Sequence, residues 1–227
     1  MGKENAFLLD FYHQLYSQMP PSRQFLEIGG GPTIYQLISA SFCANDIVFS
    51  EYLEANRQEV LRWIQNQPNA FNWDSYFEYV LKLNGNSAPE SLEQLKKQLR
   101  SKIRQIIYCD ILQDAPLAPH TESDFDIISV SFCIEAVATE KKSFISALRN
   151  ISSLLKSNGT LVMTLLKNTS IYQIGSLHFE CFHVDENYLT QLLENIGYSN
   201  VCIQIFEEMD FDFGSPGIIA LHAKKAN

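Results

Sequence analysis

Three consecutive glycines (Gly29, Gly30 and Gly31) follow an apolar segment at residues 25–28 and precede a proline and a threonine. Glycine reaches backbone angles that other residues avoid, and its missing side chain lets a ligand lie against the main chain. A buried strand that ends in such a turn before a helix is how α/β proteins build a nucleotide site. The segment therefore predicts a binding site for a nucleotide-like ligand.

Two carboxylates stand at the ends of the next predicted strands. Glu51 follows residues 47–50, and Asp110 follows residues 105–109. The first suits the hydroxyl pair of a ribose, and the second can accept a hydrogen bond from an adenine amino group. Each alone would more often be an ordinary solvated residue. Their joint placement with the glycine turn favours a site at the carboxyl edge of the sheet that surrounds one nucleoside.

The glycine turn departs from the G-x-G-x-x-G pattern of NAD-binding proteins. Gly29 and Gly31 fit that pattern, but Ile34 stands at the third position and Pro32 interrupts the start of the helix. The approach of a pyrophosphate to the helix N-terminus is weakened as a result. Together with Asp110, this favours S-adenosylmethionine over a dinucleotide.

The elements that must position these residues alternate between strand and helix patterns. This order predicts an α/β fold with a doubly wound, mostly parallel sheet of seven strands. The last two strands are close enough in sequence to pair antiparallel. Without a repeat or a convincing linker, residues 1–227 are predicted to form a single domain. The predicted strands are 25–28, 47–50, 105–109, 125–132, 160–166, 201–206 and 217–223; the predicted helices lie within 34–42, 53–64, 73–83, 87–103, 141–155 and 185–196, with a turn at 158–159.

Composition restricts the class of protein. Hydrophobic residues make up 46% of the 227 residues, which is enough for a large core, and the net charge of -9 disfavours nucleic acid as a partner. The five cysteines are widely spaced with no C-x-x-C pair, and no apolar run is long enough for a membrane span. We therefore expect free thiols, a cytoplasmic protein and no membrane partner.

Residues 26–40, Leu-Glu-Ile-Gly-Gly-Gly-Pro-Thr-Ile-Tyr-Gln-Leu-Ile-Ser-Ala, closely resemble the first motif of a family of small-molecule methyltransferases. That family includes nicotinamide, phenylethanolamine, indolethylamine and thioether methyltransferases. The resemblance continues to the C-terminus. It implies a Rossmann-like class I methyltransferase with S-adenosyl-L-methionine as cofactor, S-adenosyl-L-homocysteine as product and a small amine as acceptor. Further segments match in the same order, at residues 50–56, 71–73, 132–137, 147–156 and 172–175.

The same resemblance, carried over position by position, implies a set of cofactor contacts. They come from the glycine turn and from the ends of strands two to four. Where the family usually has aspartate this chain has Glu51, which keeps the carboxylate. The implied residues are Gly29, Gly30, Gly31, Thr33, Tyr35, Glu51, Tyr52, Asn56, Asp110, Ile111, Ser131 and Phe132.

Methyl transfer from a sulfonium needs no protein nucleophile, because the methyl group is already activated; the protein must align the reacting atoms. An amine acceptor must be unprotonated when it attacks, and a nearby carboxylate can orient it and take up a proton. Glu135 lies just beyond the fourth strand and resembles the acidic residue that amine methyltransferases of the family use. We predict it to be the catalytic residue and amine anchor; the alternative is a cap or surface acid before the next helix.

The substrate pocket is predicted from weaker signals. Tyr172 resembles a pocket aromatic, with ordinary packing as its alternative. Thr169 stands where the phenylethanolamine enzyme has a second acid, and Leu165 where the nicotinamide enzyme binds its substrate through aspartate, so nicotinamide is not expected as a substrate. Asp212 belongs to an aromatic and acidic loop that would suit a cationic amine, or is part of a surface hairpin. His178 lies in an H-x-x-C-x-H group without a fourth ligand, and we predict no metal site.

Two questions stay open at this level. The family's N-terminal tyrosine-rich lid has no counterpart, although Tyr12 and Tyr16 could replace part of it from the first helix; the alternative is that both are ordinary residues of an amphipathic helix. An open site would accept a larger acceptor, need a closing partner or hold the cofactor weakly. The reaction itself could instead be S-, Se- or O-methylation, or the chain could be a non-catalytic cofactor-binding or partner-binding protein. Oligomeric state and acceptor identity are not predicted.

Overall fold

The computed structural model describes residues 1–85, 91–207 and 217–227. Its contacts group the chain into two compact units, Met1–Tyr108 and Cys109–Asn227. The single domain expected from the sequence therefore stays a prediction. None of the helices among the described residues has the length and apolar character that a membrane span requires.

The first unit alternates helices with three strands. β1 pairs parallel with β2, and β2 pairs parallel with β3. Its elements are α1 (Lys3–Ser17), β1 (Ser22–Ile28), α2 (Tyr35–Ile38) with a 3-10 turn at Ser39–Phe42, β2 (Ala44–Ser50), α3 (Glu54–Ile64), α4 (Asp74–Asn84), α5 (Leu92–Lys102) and β3 (Ile103–Ile107).

The second unit carries the remaining strands. β4 pairs parallel with β5, while β9 is antiparallel to both β5 and β8, and β6 and β7 form a separate hairpin. Its elements are β4 (Phe125–Ser131), α6 (Ile134–Val137), α7 (Lys141–Leu154), β5 (Leu155–Lys167), β6 (Ile171–Ile174), β7 (Leu177–Glu180), α8 (Glu186–Asn195), β8 (Tyr198–Phe206) and β9 (Gly217–Lys225).

Among the described residues, seven strands form one sheet in the order β3-β2-β1-β4-β5-β9-β8. β9 is antiparallel to both of its neighbours in this sheet, β5 and β8. The α/β fold class, the seven strands and the antiparallel C-terminal pair are therefore confirmed.

Helix α7 illustrates how local sequence builds these elements. Glu140 and Ser143 form a reciprocal capping box at its start. The Glu140 side chain accepts from the backbone N–H of Ser143, and the Ser143 side chain accepts from the backbone N–H of Glu140. Phe144, Leu148 and Ile151 then recur at helical spacing and are all fully buried. The apolar face fixes the helix against the core, and the cap fixes where it begins.

The observed elements differ from the predicted ones at several places. The segment after the glycine turn forms only four residues of α-helix before it tightens to 3-10. β3 ends at Ile107, before the predicted end of the third strand. The predicted helix start at 87–90 lies outside the described residues; α5 begins at Leu92, where the Ser91 hydroxyl accepts from Gln94 N at 3.3 Å. The exposed hairpin β6–β7 was not predicted, because its strands are only four residues long and have no buried face.

The predicted turn at 158–159 lies inside β5 instead of before it. Phe125 is paired with Leu155, and Ile127 with Thr160, so the longer segment of β5 bulges against β4. Asn158 takes up the bulge with a left-handed φ of 61°. At Gly159 an added Cβ would lie 2.8 Å from the backbone oxygen of Lys156, which cannot move aside as a side chain can, so the position needs glycine. The turn residues were recognised, but pairing with β4 occurs on both sides of them, at Leu155 and again from Thr160, so they belong to one bulged strand.

Candidate active site

The glycine turn after β1 needs glycine for two different reasons. Gly29 and Gly31 have left-handed φ angles of 60° and 62°. Gly30 instead lies against β2: an added Cβ would be 2.3 Å from the Phe49 ring. The space where a Gly31 side chain would be is open to 4 Å. The turn therefore presents bare main chain on one side, as a ligand lying along it requires.

Glu51 fastens this turn to the end of β2. Its Oε2 accepts from Gly31 N at 3.0 Å, while Oε1 accepts from Leu53 N at 2.9 Å and from Asn56 Nδ2 at 3.0 Å. A carboxylate has about four acceptor positions, so three bonds leave room for one more donor. Gly31, Glu51 and Asn56, three of the predicted cofactor residues, are thus brought together. The remaining acceptor position of Glu51 fits the predicted hydrogen bond from a ribose hydroxyl.

Thr33 and Gln36 brace the turn from within. The Thr33 hydroxyl donates to Gly30 O at 2.8 Å, and the buried Gln36 amide donates to the same oxygen at 3.3 Å and to Glu27 Oε1 at 3.2 Å. Glu27 is fully buried on β1, two residues before Gly29. The sequence interpretation missed Glu27, since it treated residues 25–28 as a uniformly apolar strand. The acidic residue inside this apolar segment was the signal that could have identified Glu27 as a buried polar residue next to the turn.

Aromatic side chains surround Tyr35 at the start of α2. Its ring centroid lies 5.8 Å from that of Tyr76, 6.2 Å from Trp73 and 6.5 Å from Tyr12. Burial raises the pKa of Tyr35 well above its usual value, and the neighbouring Tyr12 and Glu27 add to the rise. The phenol therefore stays neutral and can donate a hydrogen bond. Tyr12 is itself buried and packed, as the alternative interpretation of α1 expected.

Tyr52 lies on the outside of this region. It is 56% exposed and pairs with Tyr108 at a centroid distance of 5.4 Å. Its carbonyl accepts from Arg57 Nη1 at 2.6 Å, and the same Arg57 nitrogen donates to Glu51 O at 2.7 Å. The backbone around Glu51 is thus held from two sides, while the Tyr52 ring stays accessible.

In the second unit, Asp110 stabilises its own turn. Leu112 N donates to Oδ1 at 3.0 Å, Gln113 Nε2 donates to Oδ2 at 3.3 Å, and Asp110 N bonds to Pro116 O at 2.8 Å. Because β3 ends at Ile107, Asp110 stands in the following loop and not at the strand end. The adjacent Ile111 is buried. Contact of these two residues with adenine stays a prediction.

The segment after β4 carries unusual backbone geometry. Ser131 is the last residue of β4, and Phe132 follows with a left-handed φ of 48°. Such a conformation costs a non-glycine residue about 1–2 kcal/mol. The hydrogen bond from Phe132 N to Thr164 O, 2.8 Å long, holds the kink in place. The kink directs the chain into the short helix α6, which carries Glu135.

Glu135 is a buried carboxyl group with one oxygen satisfied. Leu166 N donates to Oε1 at 3.0 Å, and Phe182 N donates to the Glu135 carbonyl at 2.8 Å. Oε2 is buried and has no hydrogen-bond partner among the described residues. Burial raises the pKa of this carboxyl from 4.5 to about 7, against a smaller opposing effect of the backbone hydrogen bonds. The surface-acid alternative is therefore wrong, since Glu135 is only 1% exposed.

Tyr172 and two thiols contribute to the surroundings of Glu135. Burial raises the pKa of Tyr172, with further contributions from Cys181, Glu135 and Cys133. Its ring stacks on Phe179 of the hairpin at 5.3 Å. Burial also raises the pKa of the Cys181 thiol to about 11. Tyr172 and Cys181 are therefore neutral near neutral pH; sequence reasoning did not place the cysteines in these surroundings.

Thr169 turns its hydroxyl to its own loop. Its Oγ1 donates to Ile171 O at 2.6 Å and accepts from Ile171 N at 3.2 Å. The residue is 8% exposed, and its substrate contact stays a prediction. Asp212 lies outside the described residues, so its predicted substrate role also stays a prediction.

A family model places these features among known proteins. The model of the NNMT/PNMT/TEMT family matches residues 3–226. Phenylethanolamine N-methyltransferase of Macaca mulatta is 34% identical over 178 residues, which cover 78% of this chain and 62% of that protein. Nicotinamide N-methyltransferase of Homo sapiens is 32% identical over 207 residues, which cover 88% of this chain and 76% of that protein. The chain thus spans less than two thirds of the phenylethanolamine enzyme.

Solved structures share the fold at low identity. The 1,6-didemethyltoxoflavin-N1-methyltransferase of Burkholderia thailandensis, solved with 1,6-didemethyltoxoflavin and S-adenosylhomocysteine bound, matches with a TM-score of 0.59. It is 12% identical, and the match covers 99% of this chain and 80% of that one. At this identity the likeness establishes the architecture of the sheet and nothing about the ligand.

Proposed function

Because the chain belongs to the NNMT/PNMT/TEMT family, we propose that it transfers a methyl group from S-adenosyl-L-methionine to the nitrogen of a small amine. N-methyl transfer is the reaction that the names of the two relatives give. The observation that carries the choice of acceptor is Glu135 Oε2, which is buried without a hydrogen-bond partner among the described residues. A buried acceptor atom of this kind is matched by the N–H of an amine.

S-adenosyl-L-methionine would supply an activated methyl group, so the chain provides no nucleophile. In the first unit, Glu51 would accept from the ribose hydroxyls through its remaining acceptor position, beside the bare main chain at Gly31. In the second unit, Asp110 would accept from the adenine amino group. The residues therefore suit a nucleoside, and the phosphate-binding features of a dinucleotide site are not needed.

Glu135 would orient the amine and manage its proton. Leu166 N occupies Oε1 and fixes the carboxyl group, which leaves Oε2 for the amine N–H. A pKa of about 7 allows the group to exist as carboxylate or carboxylic acid near neutral pH. It can therefore accept a proton from the amine without a large energetic penalty, as a general base should. A thioether or selenoether acceptor has no N–H and would leave Oε2 unpaired, which favours an amine.

The test compares Glu135→Gln with Glu194→Gln, which removes an exposed carboxylate of α8 in the same unit. Glutamine keeps the size of the side chain and an oxygen for the Leu166 N–H, but loses the charge. We expect Glu135→Gln to lower turnover on the best acceptor of an amine panel about 10²-fold or more, while S-adenosylhomocysteine affinity measured by calorimetry changes little. The Glu194→Gln protein should behave as wild type in both measurements.

Three results would contradict parts of this proposal. Unchanged turnover of Glu135→Gln would remove Glu135 from the mechanism. Turnover of thioethers or hydroxyl compounds with inert amines would move the reaction to S-, Se- or O-methylation. Tight S-adenosylhomocysteine binding without turnover on any acceptor would identify a non-catalytic binding protein.

A further inference from the structure

A loop of the second unit, residues 109–116, is held by a side chain of helix α7. Asn150 Nδ2 donates to Ile111 O at 3.1 Å and to Gln113 O at 2.9 Å. A side-chain amide nitrogen carries two hydrogens, so these two bonds use its whole donor capacity. The same loop contains Asp110, the predicted adenine contact, which makes the Asn150 amide a neighbour of the proposed cofactor site.

The first of these bonds acts on the Asp110 carboxylate through one peptide group. The carbonyl of Ile111 and the N–H of Leu112 belong to the same planar peptide unit. The oxygen of this unit accepts from Asn150, and its N–H donates to Asp110 Oδ1 at 3.0 Å. Because the unit is planar, fixing the direction of its carbonyl also fixes the direction of the N–H that orients Oδ1.

The second bond acts on the other oxygen of the same carboxylate. Asn150 holds the carbonyl of Gln113, and the Gln113 side chain donates to Asp110 Oδ2 at 3.3 Å. The backbone N–H of Gln113 also donates to Asp110 O at 3.1 Å. Both carboxylate oxygens are thus oriented by residues whose backbone Asn150 anchors. A carboxylate has about four acceptor positions, so two bonds leave room for a donor from a ligand.

Helix α7 is a rigid support for this anchor. Its capping box fixes where the helix begins, and Phe144, Leu148 and Ile151 are fully buried along its apolar face. Asn150 is adjacent to Ile151, so the packing of the helix sets the position of its backbone. The Asn150 amide therefore attaches the Asp110 loop to the packed core of the second unit.

We propose that Asn150 is a positioning residue that holds the Asp110 carboxylate for the amino group of adenine, and that the site thereby selects adenine over hypoxanthine. This role rests on the proposed function, in which Asp110 accepts from that amino group. Hypoxanthine has a carbonyl oxygen where adenine has the amino group, so a carboxylate held there meets an acceptor instead of a donor. A carboxylate that could shift would accept from the ring N–H that hypoxanthine gains, and would distinguish the two bases much less.

The test measures the dissociation constants of S-adenosylhomocysteine and S-inosylhomocysteine by calorimetry on the whole chain. The two probes differ only in the purine base. We expect wild type to bind the adenosine probe about tenfold or more tightly than the inosine probe, because a hydrogen bond to a charged group is lost with the latter.

In Asn150→Ala the adenosine probe should bind about tenfold more weakly, while binding of the inosine probe changes little. The ratio of the two dissociation constants should therefore approach one. Both constants are measured on the same protein, so a general loss of stability, which a merely structural residue would cause, does not change their ratio.

Two further variants isolate the contribution of the amide hydrogens. Asn150→Asp keeps the shape of the side chain but has no N–H to donate, so it should lose the selectivity as Asn150→Ala does. It also supplies the measurement if the alanine variant does not fold. Ser146→Ala removes an exposed hydroxyl one turn earlier on α7 and is the matched control. It should keep the wild-type affinities for both probes.

Several results would overturn this role. Asn150→Ala with the wild-type ratio, or with equal losses for both probes, would make Asn150 an ordinary support of the fold. A wild-type ratio in Asn150→Asp would show that the amide hydrogens do not matter. If wild type bound both probes equally, Asp110 would not recognise the amino group, although the cofactor assignment would stand. If wild type bound neither probe, the proposed cofactor itself would be contradicted, and this role with it.

Discussion

Two buried glutamates, Glu51 and Glu135, show how one side chain is used in opposite ways. At Glu51 both carboxylate oxygens accept hydrogen bonds, three in all, from the chain itself. At Glu135 one oxygen accepts a single bond, and the other is buried without a partner among the described residues. Glu51 therefore organises the structure around it, whereas Glu135 keeps hydrogen-bonding capacity that a ligand can use. Burial alone does not distinguish the two, but the satisfaction of their oxygens does.

The largest expected effect is a loss of turnover when Glu135 is replaced. Glu135→Gln is expected to lower turnover about 10²-fold or more, since it removes the proton acceptor. The pH profile of kcat/KM should also change: in wild type, activity rises through pH about 7 as the Glu135 carboxyl ionises, and in the variant this rise disappears. A steady-state pH series on one amine measures both. Retention of the rise in Glu135→Gln would assign it to another group.

Ionisation of Glu135 should lower the free energy of unfolding as the pH rises. Its folded pKa of about 7 lies above the ordinary 4.5, so the folded state holds the proton more tightly than the unfolded state. The resulting stabilisation is complete below pH 4.5 and is lost as the pH rises to about 7. Above pH 7, Glu135→Gln should therefore exceed wild type in free energy of unfolding by about 3 kcal/mol. Urea denaturation at pH 8 and pH 4 tests this; an equal difference at both would contradict it.

Glu51→Gln should instead destabilise the fold. The new amide has one oxygen and one donor nitrogen, so it cannot accept from both Gly31 N and the Leu53–Asn56 pair. Leaving a buried donor unsatisfied costs about 1–3 kcal/mol. We also expect weaker S-adenosylhomocysteine binding in calorimetry, with turnover at saturating cofactor largely retained. The matched control is Glu54→Gln, which removes an exposed carboxylate of the first turn of α3.

The smallest effect is expected for Asn56→Ala. It removes one of the three donors to Glu51 and leaves the other two in place. We expect a loss of about 1 kcal/mol in the free energy of unfolding, with Gln58→Ala on the exposed side of the same helix as the control. If Asn56→Ala cost as much as Glu51→Gln, the three bonds would act as one cooperative unit.

Features encoded by neighbouring residues were predictable from the sequence. The glycine turn, the end of β2 at Ser50 and the helix that begins at Lys141 follow from local patterns, and the family resemblance is confirmed by the match over residues 3–226. The link between Gly31 and Glu51 was also predictable, because the two lie at the ends of adjacent parallel strands.

Features that depend on distant residues were not predictable in the same way. The state of Glu135 depends on Leu166 N and Phe182 N, which follow it by 31 residues or more. Its position could be predicted, but its half-satisfied carboxylate could not. The sequence placed the end of β3 too late because Tyr108 and Cys109 continue the apolar segment. Pairing with β2 ends at Ile107. The roles of the individual site residues stay predictions until a ligand is measured.

The clamp around Glu51 has a consequence for the entropy of binding. One carboxylate joins the glycine turn to the start of α3, so its rotamer and both backbone segments are fixed when the chain folds. Immobilising a flexible side chain at a binding site costs about 0.5–1.5 kcal/mol. The entropic cost of ordering Glu51 has already been met when the chain folds. A ligand that donates to the remaining acceptor position of Glu51 therefore binds a side chain that is already ordered. The clamp therefore preorganises Glu51 for the proposed ribose contact.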